Sequence, residues 1–507
     1  MLDVMLVSVP SEGAILGADS LLPMESLGIT TLARCLQSQG YAVKVVDGEL
    51  GMDLEMVRRI VLATEAPFVG FSTFQNTMAA TLALAAEYKT RYPHTTICLG
   101  GYQATFCAGE LLEKEPAVDV VVVGRGEAVI GNLVLEARTR GPMPKQIVLG
   151  TSQGLPPELT DPQARWPWRD PATLRRRGAA AVLGAEGCYG QCTFCTNPQF
   201  EALGSGPRWR PRPDDDLIEE MRTLHGNYGV THFEFYDPDF LSMGKAAHDR
   251  SATLAHRIAS LSFKTKIRFT AQAKAAASLP PEFWALWKSA GLERVYIGFE
   301  SGDDRSLLSY GKYSRRDHNL RALALLQEQG IAVQIGFIMY KPDTTLDDIR
   351  SSVDFLREVG QGYFFKHLAN SLIIYPGTKE FDWLREEGRL QLQDSKSYRG
   401  VSYEYKYPEV ARVVEAVLAV RGGAYHLDRL LLDLEFGLVR GGEVVTQGDL
   451  HLDHQSGLAL FEGLKVERAE SISRYFGGLL VGNDMTSEFL KRDGELYAQA
   501  MRAFRFP

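Results

Sequence analysis

The 507-residue sequence has only six cysteines, no apolar run long enough to span a bilayer, and no dense run of lysine and arginine. A membrane helix needs about 20 mostly apolar residues, and a nucleic-acid surface needs clustered positive charge, whereas the net charge here is −8. We therefore expect no membrane span and no nucleic-acid partner. Asp3 and Pro10 interrupt the first apolar run, so it predicts a buried strand instead of a secretory signal, and we expect a cytoplasmic protein.

Half of the cysteines lie in one short segment. Cys188, Cys192 and Cys195 have the spacing C-x3-C-x2-C, and the other three form no C-x2-C pair. The missing second pair disfavours a zinc ribbon, and an odd local trio does not suit a disulfide set. Thiolates are the usual ligands of iron–sulfur clusters. Three ligands leave one iron of a [4Fe–4S] cluster open for a small molecule, as in open catalytic zinc sites.

This motif, with Phe194 just before its last cysteine, resembles the signature of the radical S-adenosylmethionine (SAM) superfamily. The resemblance implies that Cys188, Cys192 and Cys195 are both metal ligands and catalytic residues, with Phe194 beside the cofactor. It also implies that the open iron binds the amino and carboxylate groups of SAM. Reductive cleavage of SAM then gives a 5′-deoxyadenosyl radical, with electrons from a donor such as flavodoxin or ferredoxin.

Residues 1–140 alternate apolar runs with amphipathic patterns. The predicted strands are Val4–Val9, Val43–Asp47, Phe68–Thr73, Thr96–Gly101 and Asp119–Gly124. Continuous β-branched runs are typical of strands buried on both faces of a parallel sheet, and five such units predict a flavodoxin-like α/β domain. A ligand of this domain is expected beyond the carboxyl ends of its strands.

Small and polar residues follow three of these strands. They are Ser72 and Thr73, then Gly100 and Gly101, and then Gly124, Gly126 and Glu127, with the aromatic residues Phe74 and Tyr102 directly after the first two pairs. Glycines let a backbone approach a large flat ligand, although they also simply form tight turns. No G-x-G-x-x-G follows the first strand, which disfavours a dinucleotide.

The pattern of these motifs resembles the cobalamin (B12)-binding domain of B12-type radical SAM enzymes, and the resemblance makes the nine residues cobalamin neighbours. The sequence lacks the D-x-H-x-x-G motif by which other B12 proteins supply a histidine to cobalt, and no histidine precedes His94. We expect cobalamin without a histidine ligand, with Phe74, Gln75 or Tyr102 nearest the cobalt. A domain that kept the fold and lost the ligand is the alternative.

Residues 141–178 are rich in proline, glycine and arginine and predict a linker. Residues 179–390 then show six strand–helix units, which predict a partial or open (β/α)6 barrel, and the resemblance makes it the radical SAM barrel. The predicted strands are Ala179–Gly184, His232–Tyr236, Lys266–Thr270, Arg294–Phe299, Val333–Tyr340 and Phe364–Ile374.

Charged residues follow two of the barrel strands. Asp237 and Asp239 form a capped turn in one interpretation, and the resemblance makes them neighbours of the SAM amino group. Glu300 is placed to bond ribose hydroxyls or an ammonium group. Lys312 matches a basic residue that meets the SAM carboxylate in relatives, and a surface lysine is the alternative.

Residues 391–507 carry helical patterns and predict a mostly helical cap domain, with helices at Pro408–Arg421, Ala424–Leu434, Glu467–Tyr475 and Ser487–Phe504. The leading hypothesis is a B12-dependent radical SAM C-methyltransferase that acts on an unactivated carbon of a small biosynthetic, natural-product intermediate. One alternative is a radical SAM dehydratase, epimerase or cyclase that does not use cobalamin for methyl transfer. A non-catalytic electron-transfer or cluster-scaffold protein is another.

Overall fold

The computed structural model describes residues 2–11, 24–150, 166–204, 206–275, 279–440, 444–445 and 451–503. The strands are β1 (Val4–Ser8), β2 (Val43–Asp47), β3 (Phe68–Ser72), β4 (Thr96–Gly100), β5 (Val120–Val123), β6 (Gln146–Leu149), β7 (Ala179–Val182), β8 (Ala185–Gly187), β9 (Trp209–Pro211), β10 (His232–Phe235), β11 (Arg268–Ala273), β12 (Leu292–Glu300), β13 (Ala332–Phe337), β14 (Leu390–Leu392), β15 (Val401–Tyr403), β16 (Val444–Val445) and β17 (His451–Leu452). The helices are α1 (Leu27–Ser38), α2 (Leu54–Leu62), α3 (Met78–Arg91), α4 (Tyr102–Phe106), α5 (Ala108–Lys114), α6 (Ile130–Arg140), α7 (Pro171–Arg177), α8 (Asn197–Ala202), α9 (Asp214–Tyr228), α10 (Lys245–Ala259), α11 (Pro281–Ala290), α12 (Asp304–Ser309), α13 (Arg316–Glu328), α14 (Leu346–Glu358), α15 (Phe365–Leu368), α16 (Lys379–Glu386), α17 (Pro408–Arg440), α18 (His454–Leu480) and α19 (Thr486–Ala503).

The chain divides into two compact units. The first contains Met1–Met243, Leu261–Arg268 and Ile373–Ser402, and the second contains Gly244–Ser260, Phe269–Leu372 and Tyr403–Pro507. The predicted fold class, α/β with parallel sheets and a helical C-terminal region, is confirmed. Among the described residues, no helix is both long and apolar enough to cross a membrane.

The first unit contains a six-stranded sheet in the order β2-β1-β3-β4-β5-β6, and every pairing in it is parallel. Strand β1 explains why the sheet is buried on both faces. Met5 and Val7 enter one hydrophobic core, whereas Val4 and Leu6 enter a second core on the other face. Successive strand residues point to opposite faces, so an uninterrupted apolar run is what a strand covered by helices on both sides requires.

Strand β6 lies within residues 141–178, which the sequence predicts as a linker, and it pairs with β5 at the sheet edge. Its apolar side chains are poorly covered, since Leu149 is 74% exposed. The adjoining segment also forms α7, which Asp170 caps by accepting a hydrogen bond from the Thr173 N–H. The linker prediction therefore missed one edge strand and one short helix.

Two further features of the first unit position the predicted cluster loop. Strands β7 and β10 pair in parallel, and β8 pairs antiparallel with β9. The three loop cysteines and α8 lie in the connection between β8 and β9. A hairpin thus fixes both ends of the segment that carries the cysteines.

A late segment of the chain completes the core of the first sheet. The Tyr398 side chain is fully buried in the core that also contains Met5 and Val7. Its hydroxyl donates to Glu115 at 2.5 Å, and its carbonyl accepts a hydrogen bond from Gln103 Nε2 at 3.4 Å.

The second unit contains the parallel strands β11, β12 and β13 and the long helices α17, α18 and α19. A buried arginine, Arg468, joins these helices, because its guanidinium pairs with Asp428 and Asp493. Of the predicted C-terminal helices, the first two are one continuous helix, α17. The third lies within α18, and the last matches α19 except at Phe504, which lies outside the described residues.

The predicted strand at Phe364–Ile374 is wrong. Phe365–Leu368 forms α15, and Ser371 makes only an isolated parallel bridge to Tyr340. Asp428 explains the helix, since its carboxylate accepts the N–H groups of Phe365 and Lys366 at 2.9 and 2.7 Å. Such capping satisfies the donors that a helix leaves free at its first turn.

Candidate cluster and cobalamin site

The cysteine loop begins at a residue that must be glycine. Gly187 has φ +76°, and a Cβ there would lie 2.0 Å from the carbonyl oxygen of Arg208, which directly precedes the paired strand β9. After it, the Gly190 N–H donates to Cys188 Sγ at 3.2 Å, and the Cys195 N–H donates to the Cys192 carbonyl at 3.2 Å. The loop is therefore folded back on itself by its own backbone donors.

The three remaining cysteines are poor metal ligands. Burial raises the pKa of Cys35 to about 11, that of Cys98 to about 12 and that of Cys107 to about 11. These thiols are protonated at neutral pH, whereas the thiolate is the form that binds metals. Of the six cysteines, the loop trio is the set available to a cluster.

Within the described residues, no three His, Cys, Asp or Glu side chains converge in the manner that a single metal ion needs. A four-iron cluster binds each cysteine at a different iron, so its ligands do not have to meet at one point. Half-buried Cys192 and Cys195 and buried Cys188, carried on one short loop, fit such a cluster.

The ends of β3 and β4 are locked together. The Thr73 N–H and hydroxyl both donate to the Gly100 carbonyl, at 2.9 and 2.8 Å, and the hydroxyl accepts from the Ala104 N–H. A Cβ at Gly101 would lie 2.8 Å from the Thr73 carbonyl oxygen and 3.5 Å from Ser72 Oγ, and Gly101 has φ +96°. The N–H and hydroxyl groups of Thr73 are thus both bonded to backbone groups. The missing side chain of Gly101 permits the ends of β3 and β4 to approach each other closely.

Tyr102 connects this sheet edge to the helix that follows the cysteine loop. Its hydroxyl donates to Asn197 Oδ1 at 2.8 Å, and its ring centroid lies 4.5 Å from that of Phe200 and 6.4 Å from that of Phe74. Burial raises the pKa of Tyr102, so its hydroxyl stays protonated and donates. Phe74 itself is 44% exposed, which leaves an aromatic face open beside the strand ends.

The end of β5 carries charged groups. The Gly124 N–H donates to Thr105 Oγ1 at 3.1 Å, and the Gly126 carbonyl accepts from the N–H groups that begin α6. Between them, Arg125 pairs with Glu186 and Glu201, at 3.2 and 3.1 Å. Burial would lower the pKa of Arg125, but the neighbouring carboxylates raise it on balance, so the guanidinium stays charged.

Two buried acceptor oxygens at this edge have no hydrogen-bond partner among the described residues: Gln75 Oε1 and Glu127 Oε2. Burial raises the pKa of Glu127, and the Arg125 guanidinium partly offsets that rise. A buried acceptor without a donor costs free energy. The rim of a corrin carries amide N–H donors, from which these two oxygens could accept hydrogen bonds. The missing side chain at Gly101 also leaves the backbone open to a large flat ligand, so the residues present fit cobalamin.

The predicted SAM neighbours in the first unit are held by backbone groups. Asp237 and Asp239 are fully buried. Asp237 Oδ2 accepts from the Gly184 N–H at 2.9 Å, and Asp239 Oδ1 accepts from the Ser242 N–H at 3.3 Å. Phe194 is half-buried in the cysteine loop. Asp239 thus makes a local turn contact and Asp237 bonds the end of the neighbouring strand segment, and neither carboxylate caps α10, whose N-cap residue is Gly244.

Glu300 and Lys312 belong to the second unit and pair with each other. Lys312 Nζ lies 3.1 Å from Glu300 Oε1, and both side chains are largely buried. Glu300 has φ +62° and lies where the pairing of β12 with β13 shifts register. Such a bulge redirects a side chain, and a non-glycine residue in the left-handed region is strained. Lys312 is therefore not a surface lysine.

Removal of the Lys312 charge is expected to weaken SAM binding. In Lys312→Met, Glu300 loses its cation, and a SAM carboxylate loses its predicted partner, so we expect the SAM dissociation constant to rise about tenfold. Equilibrium binding to the cluster-loaded protein measures this. Lys245→Met is the control, because Lys245 pairs with Asp249 on an exposed helix surface. Equal SAM affinity in both variants would contradict the carried-over role.

A cavity of about 520 Å³ lies elsewhere in the first unit. Its lining includes Phe106, Glu110, Gly377, Phe381 and Arg385, and it contains none of the predicted cofactor residues. The cysteine loop and the ends of β3, β4 and β5 supply the candidate metal ligands, the exposed Phe74 ring and the buried acceptor oxygens that the cavity lining lacks. We therefore assign the candidate site to those elements and not to the cavity.

Sequence reasoning missed the residues that join the two groups of motifs. Asn197 and Glu201 follow the cysteines, Glu186 precedes them, and Arg125 stands inside the motif Gly124–Glu127. The available signal was the presence of two charged residues, in the motif G-R-G-E, directly after a buried strand. Its carboxylate partners are about 60 or more residues away, so the sequence did not identify them.

Two family models match the chain in these regions. The B12 binding domain matches residues 13–134, and the Radical SAM superfamily matches residues 182–356. The chain therefore carries a B12-binding domain followed by a radical SAM domain. This radical SAM chain is accordingly an enzyme.

Curated relatives of this radical SAM enzyme differ in activity. The uncharacterized methyltransferase PH0819 of Pyrococcus horikoshii is 25% identical, over 78% of this chain and 86% of the relative. The hopanoid C-3 methylase of Methylococcus capsulatus is 25% identical, over 74% and 72%. The anaerobic magnesium-protoporphyrin IX monomethyl ester cyclase of Synechocystis is 24% identical, over 79% of each chain.

Solved structures share the whole fold. The cobalamin-dependent SAM radical enzyme OxsB, solved with aqua-cobalamin and SAM, has a TM-score of 0.69 at 15% identity, over 98% of this chain and 79% of that chain. The radical SAM methyltransferase TsrM from Kitasatospora setae, solved with cobalamin and a [4Fe–4S] cluster, has a TM-score of 0.60 at 15% identity, over 99% and 100%. At this identity, the likeness shows the fold.

Proposed function

We propose that this radical SAM enzyme is a cobalamin-dependent C-methyltransferase that acts on an unactivated carbon of a small biosynthetic intermediate. The observation that carries the proposal is the hydrogen bond from Tyr102 to Asn197. Tyr102 stands at the end of β4, and Asn197 stands two residues after Cys195, so the cobalamin edge adjoins the cluster loop. The methylase and methyltransferase relatives support the same activity.

When bound, cobalamin supplies a transferable methyl group, and the cluster with SAM supplies a radical that removes a hydrogen atom from the substrate. The residues of this chain hold and enclose these groups. Cys188, Cys192 and Cys195 would hold the cluster, while Glu300 and Lys312 would bind polar groups of SAM. The exposed ring of Phe74 would lie against the corrin. A one-electron donor of the flavodoxin or ferredoxin class would supply the reductant.

We further propose that no histidine ligates the cobalt. His94 is the single histidine among the first 150 residues of the sequence, and it is exposed. Gln75 and Tyr102, at the ends of β3 and β4, are the polar side chains nearest the expected corrin face. The EPR spectrum of the bound Co(II) form is expected to lack nitrogen splitting on its cobalt lines. Nitrogen splitting that disappears in His94→Gln, or that changes when the histidines are ¹⁵N-labelled, would contradict this assignment.

The activity is tested by the products of SAM. The protein is reconstituted anaerobically with iron, sulfide and hydroxocobalamin, desalted, and incubated with SAM and dithionite. We expect about one cobalamin per chain and two SAM products: S-adenosylhomocysteine, which reports methyl loss, and 5′-deoxyadenosine, which reports radical formation. Protein that is reconstituted without hydroxocobalamin is the control, and it is expected to form 5′-deoxyadenosine alone.

The second candidate is a radical SAM cyclase, dehydratase or epimerase that transfers no methyl group. The magnesium-protoporphyrin cyclase relatives favour it. It predicts 5′-deoxyadenosine without S-adenosylhomocysteine, whether or not cobalamin is retained. A cluster scaffold without catalysis predicts neither product.

A further inference from the structure

Four charged residues around the cysteine loop form a closed ring of alternating sign. Arg125 lies 3.2 Å from Glu186 and 3.1 Å from Glu201, and Arg210 lies 3.5 Å from Glu186 and 2.7 Å from Glu201. Each arginine therefore contacts both glutamates, and each glutamate contacts both arginines. The ring carries no net charge.

The glutamates of this ring bracket the cluster ligands in the sequence. Glu186 lies in β8, two residues before Cys188, and Glu201 lies in α8, six residues after Cys195. Arg210 lies in β9, so it joins parts of the same hairpin region. Arg125 is different, because it comes from the end of β5 in the B12-binding domain.

Burial strengthens the contact of Arg125 with Glu201, whereas Glu186 is 37% exposed. The Glu201 side chain is 4% exposed and that of Arg125 is 17% exposed, so solvent screens this pair weakly. The planar guanidinium of arginine offers several donors in a fixed geometry, and it also lies 6.0 Å from the centre of the Phe200 ring. Removal of one partner from such a buried pair leaves an uncompensated charge.

We propose that Arg125 is a positioning residue that fixes the cysteine loop against the cobalamin-binding edge. It does so by pairing with the two carboxylates at either end of the loop, from a position in the chain between Gly124 and Glu127. The consequence is one defined separation between the two cofactors. This inference rests on the proposed function, since it assigns Arg125 a task only where both cofactors are present.

The test compares three arginine variants of the full chain, loaded with cluster and cob(II)alamin and reduced with dithionite. Arg125→Gln removes the ion pairs between the loop and the B12-binding domain and leaves the Tyr102–Asn197 hydrogen bond in place, whereas Arg210→Gln removes only contacts near the hairpin. Arg58→Gln is the matched control, because Arg58 also pairs with two glutamates, Glu55 and Glu87, but on an exposed surface of the same domain. Pulsed EPR measures the distance distribution between Co(II) and the reduced cluster.

We expect the wild type, Arg58→Gln and Arg210→Gln to give one narrow distance. Arg125→Gln is expected to load both cofactors and to give a distribution about twofold broader, because the loop gains alternative positions. Arg125→Lys keeps the positive charge but loses the planar guanidinium that contacts both carboxylates. Its distance distribution is expected to have a width between those of the wild type and Arg125→Gln. An unchanged distance in Arg125→Gln, with or without a lower melting temperature, overturns the proposal and leaves Arg125 a purely stabilising residue.

A cobalamin-free readout separates this inference from the proposed function. If the wild type retains no cobalamin, the proposed function is refuted. The effect of the Arg125 ion pairs on the mobility of the cysteine loop can still be measured. Amide hydrogen exchange of residues 186–204 in the cluster-loaded protein is then expected to be about tenfold faster in Arg125→Gln than in Arg58→Gln. Equal exchange in the two variants overturns the proposal.

Discussion

Replacement of Cys192 by alanine is expected to lower the iron content from about four atoms per chain to near zero and to abolish 5′-deoxyadenosine formation. Cys192 is the central ligand of the loop trio, and its carbonyl accepts the Cys195 N–H whatever its side chain. The backbone turn therefore survives, while the cluster loses one of its three thiolates. Iron analysis after anaerobic reconstitution and product analysis with SAM and dithionite measure the two effects.

The matched control for this variant is Cys98→Ala. Cys98 is buried in the core of the first sheet, and burial raises its pKa to about 12, which disfavours the thiolate form that binds metals. Loss of its small side chain is expected to cost about 1 kcal/mol of stability and to leave iron and SAM cleavage unchanged. Full iron content in Cys192→Ala, or its loss in Cys98→Ala, would refute the assignment of the cluster to the loop.

Replacement of Gly101 by alanine is expected to have the opposite result: the cluster is retained and cobalamin is lost. The new Cβ would lie 2.8 Å from the Thr73 carbonyl oxygen, and alanine at φ +96° is strained by about 1–2 kcal/mol. The ends of β3 and β4 must then separate. We expect cobalamin retention after desalting to fall at least about tenfold, with the iron content unchanged.

Gly100→Ala provides an adjacent control. A Cβ at Gly100 meets no atom within 4 Å, and its φ is not positive. The variant therefore tests whether the steric effect is specific to residue 101 of the strand end. Wild-type cobalamin retention in Gly101→Ala would show that the strand ends of β3 and β4 do not shape the cofactor site.

Much of the fold could be predicted because its signals are local. The run Val4–Val7 is apolar throughout, as a strand that is covered on both faces requires. The cysteine spacing likewise needed no knowledge of the fold. Contacts made across the chain decided the elements that were missed. Strand β6 exists because β5 offers an unpaired edge, and α15 exists because Asp428, about 60 residues away, caps it.

Glycine misled the prediction of α17. Gly422 and Gly423 predict a break between two helices, yet the helix is continuous. A Cβ at Gly423 would lie 2.8 Å from a Leu490 methyl group of α19. The residue permits close packing of two helices, and that packing offsets the roughly 1 kcal/mol that glycine costs within a helix.

The sequence suggested candidate site residues one by one, and it did not show how they pair with each other. Glu300 and Lys312 were each assigned to SAM, whereas the structure shows that they also bind each other. Thr73 was assigned to cobalamin, whereas its hydroxyl is occupied by the backbone. Arg125 was not selected, because its importance comes from carboxylates on another domain. A sequence shows which reactive and charged side chains a protein has. Which of them contact each other depends on how the fold brings distant segments together.

The burial of Tyr398 has a consequence for biosynthesis. The core of the first sheet is built from residues before 150 and is closed by a tyrosine that the ribosome adds nearly 250 residues later. The amino-terminal domain therefore emerges with a gap in its core, and contacts so distant along the chain form slowly. We expect the excised segment 1–150 to bind hydrophobic dyes and to aggregate, while the full chain does not. During synthesis, the core of the first sheet is completed only after the residues between position 150 and Tyr398 have been added.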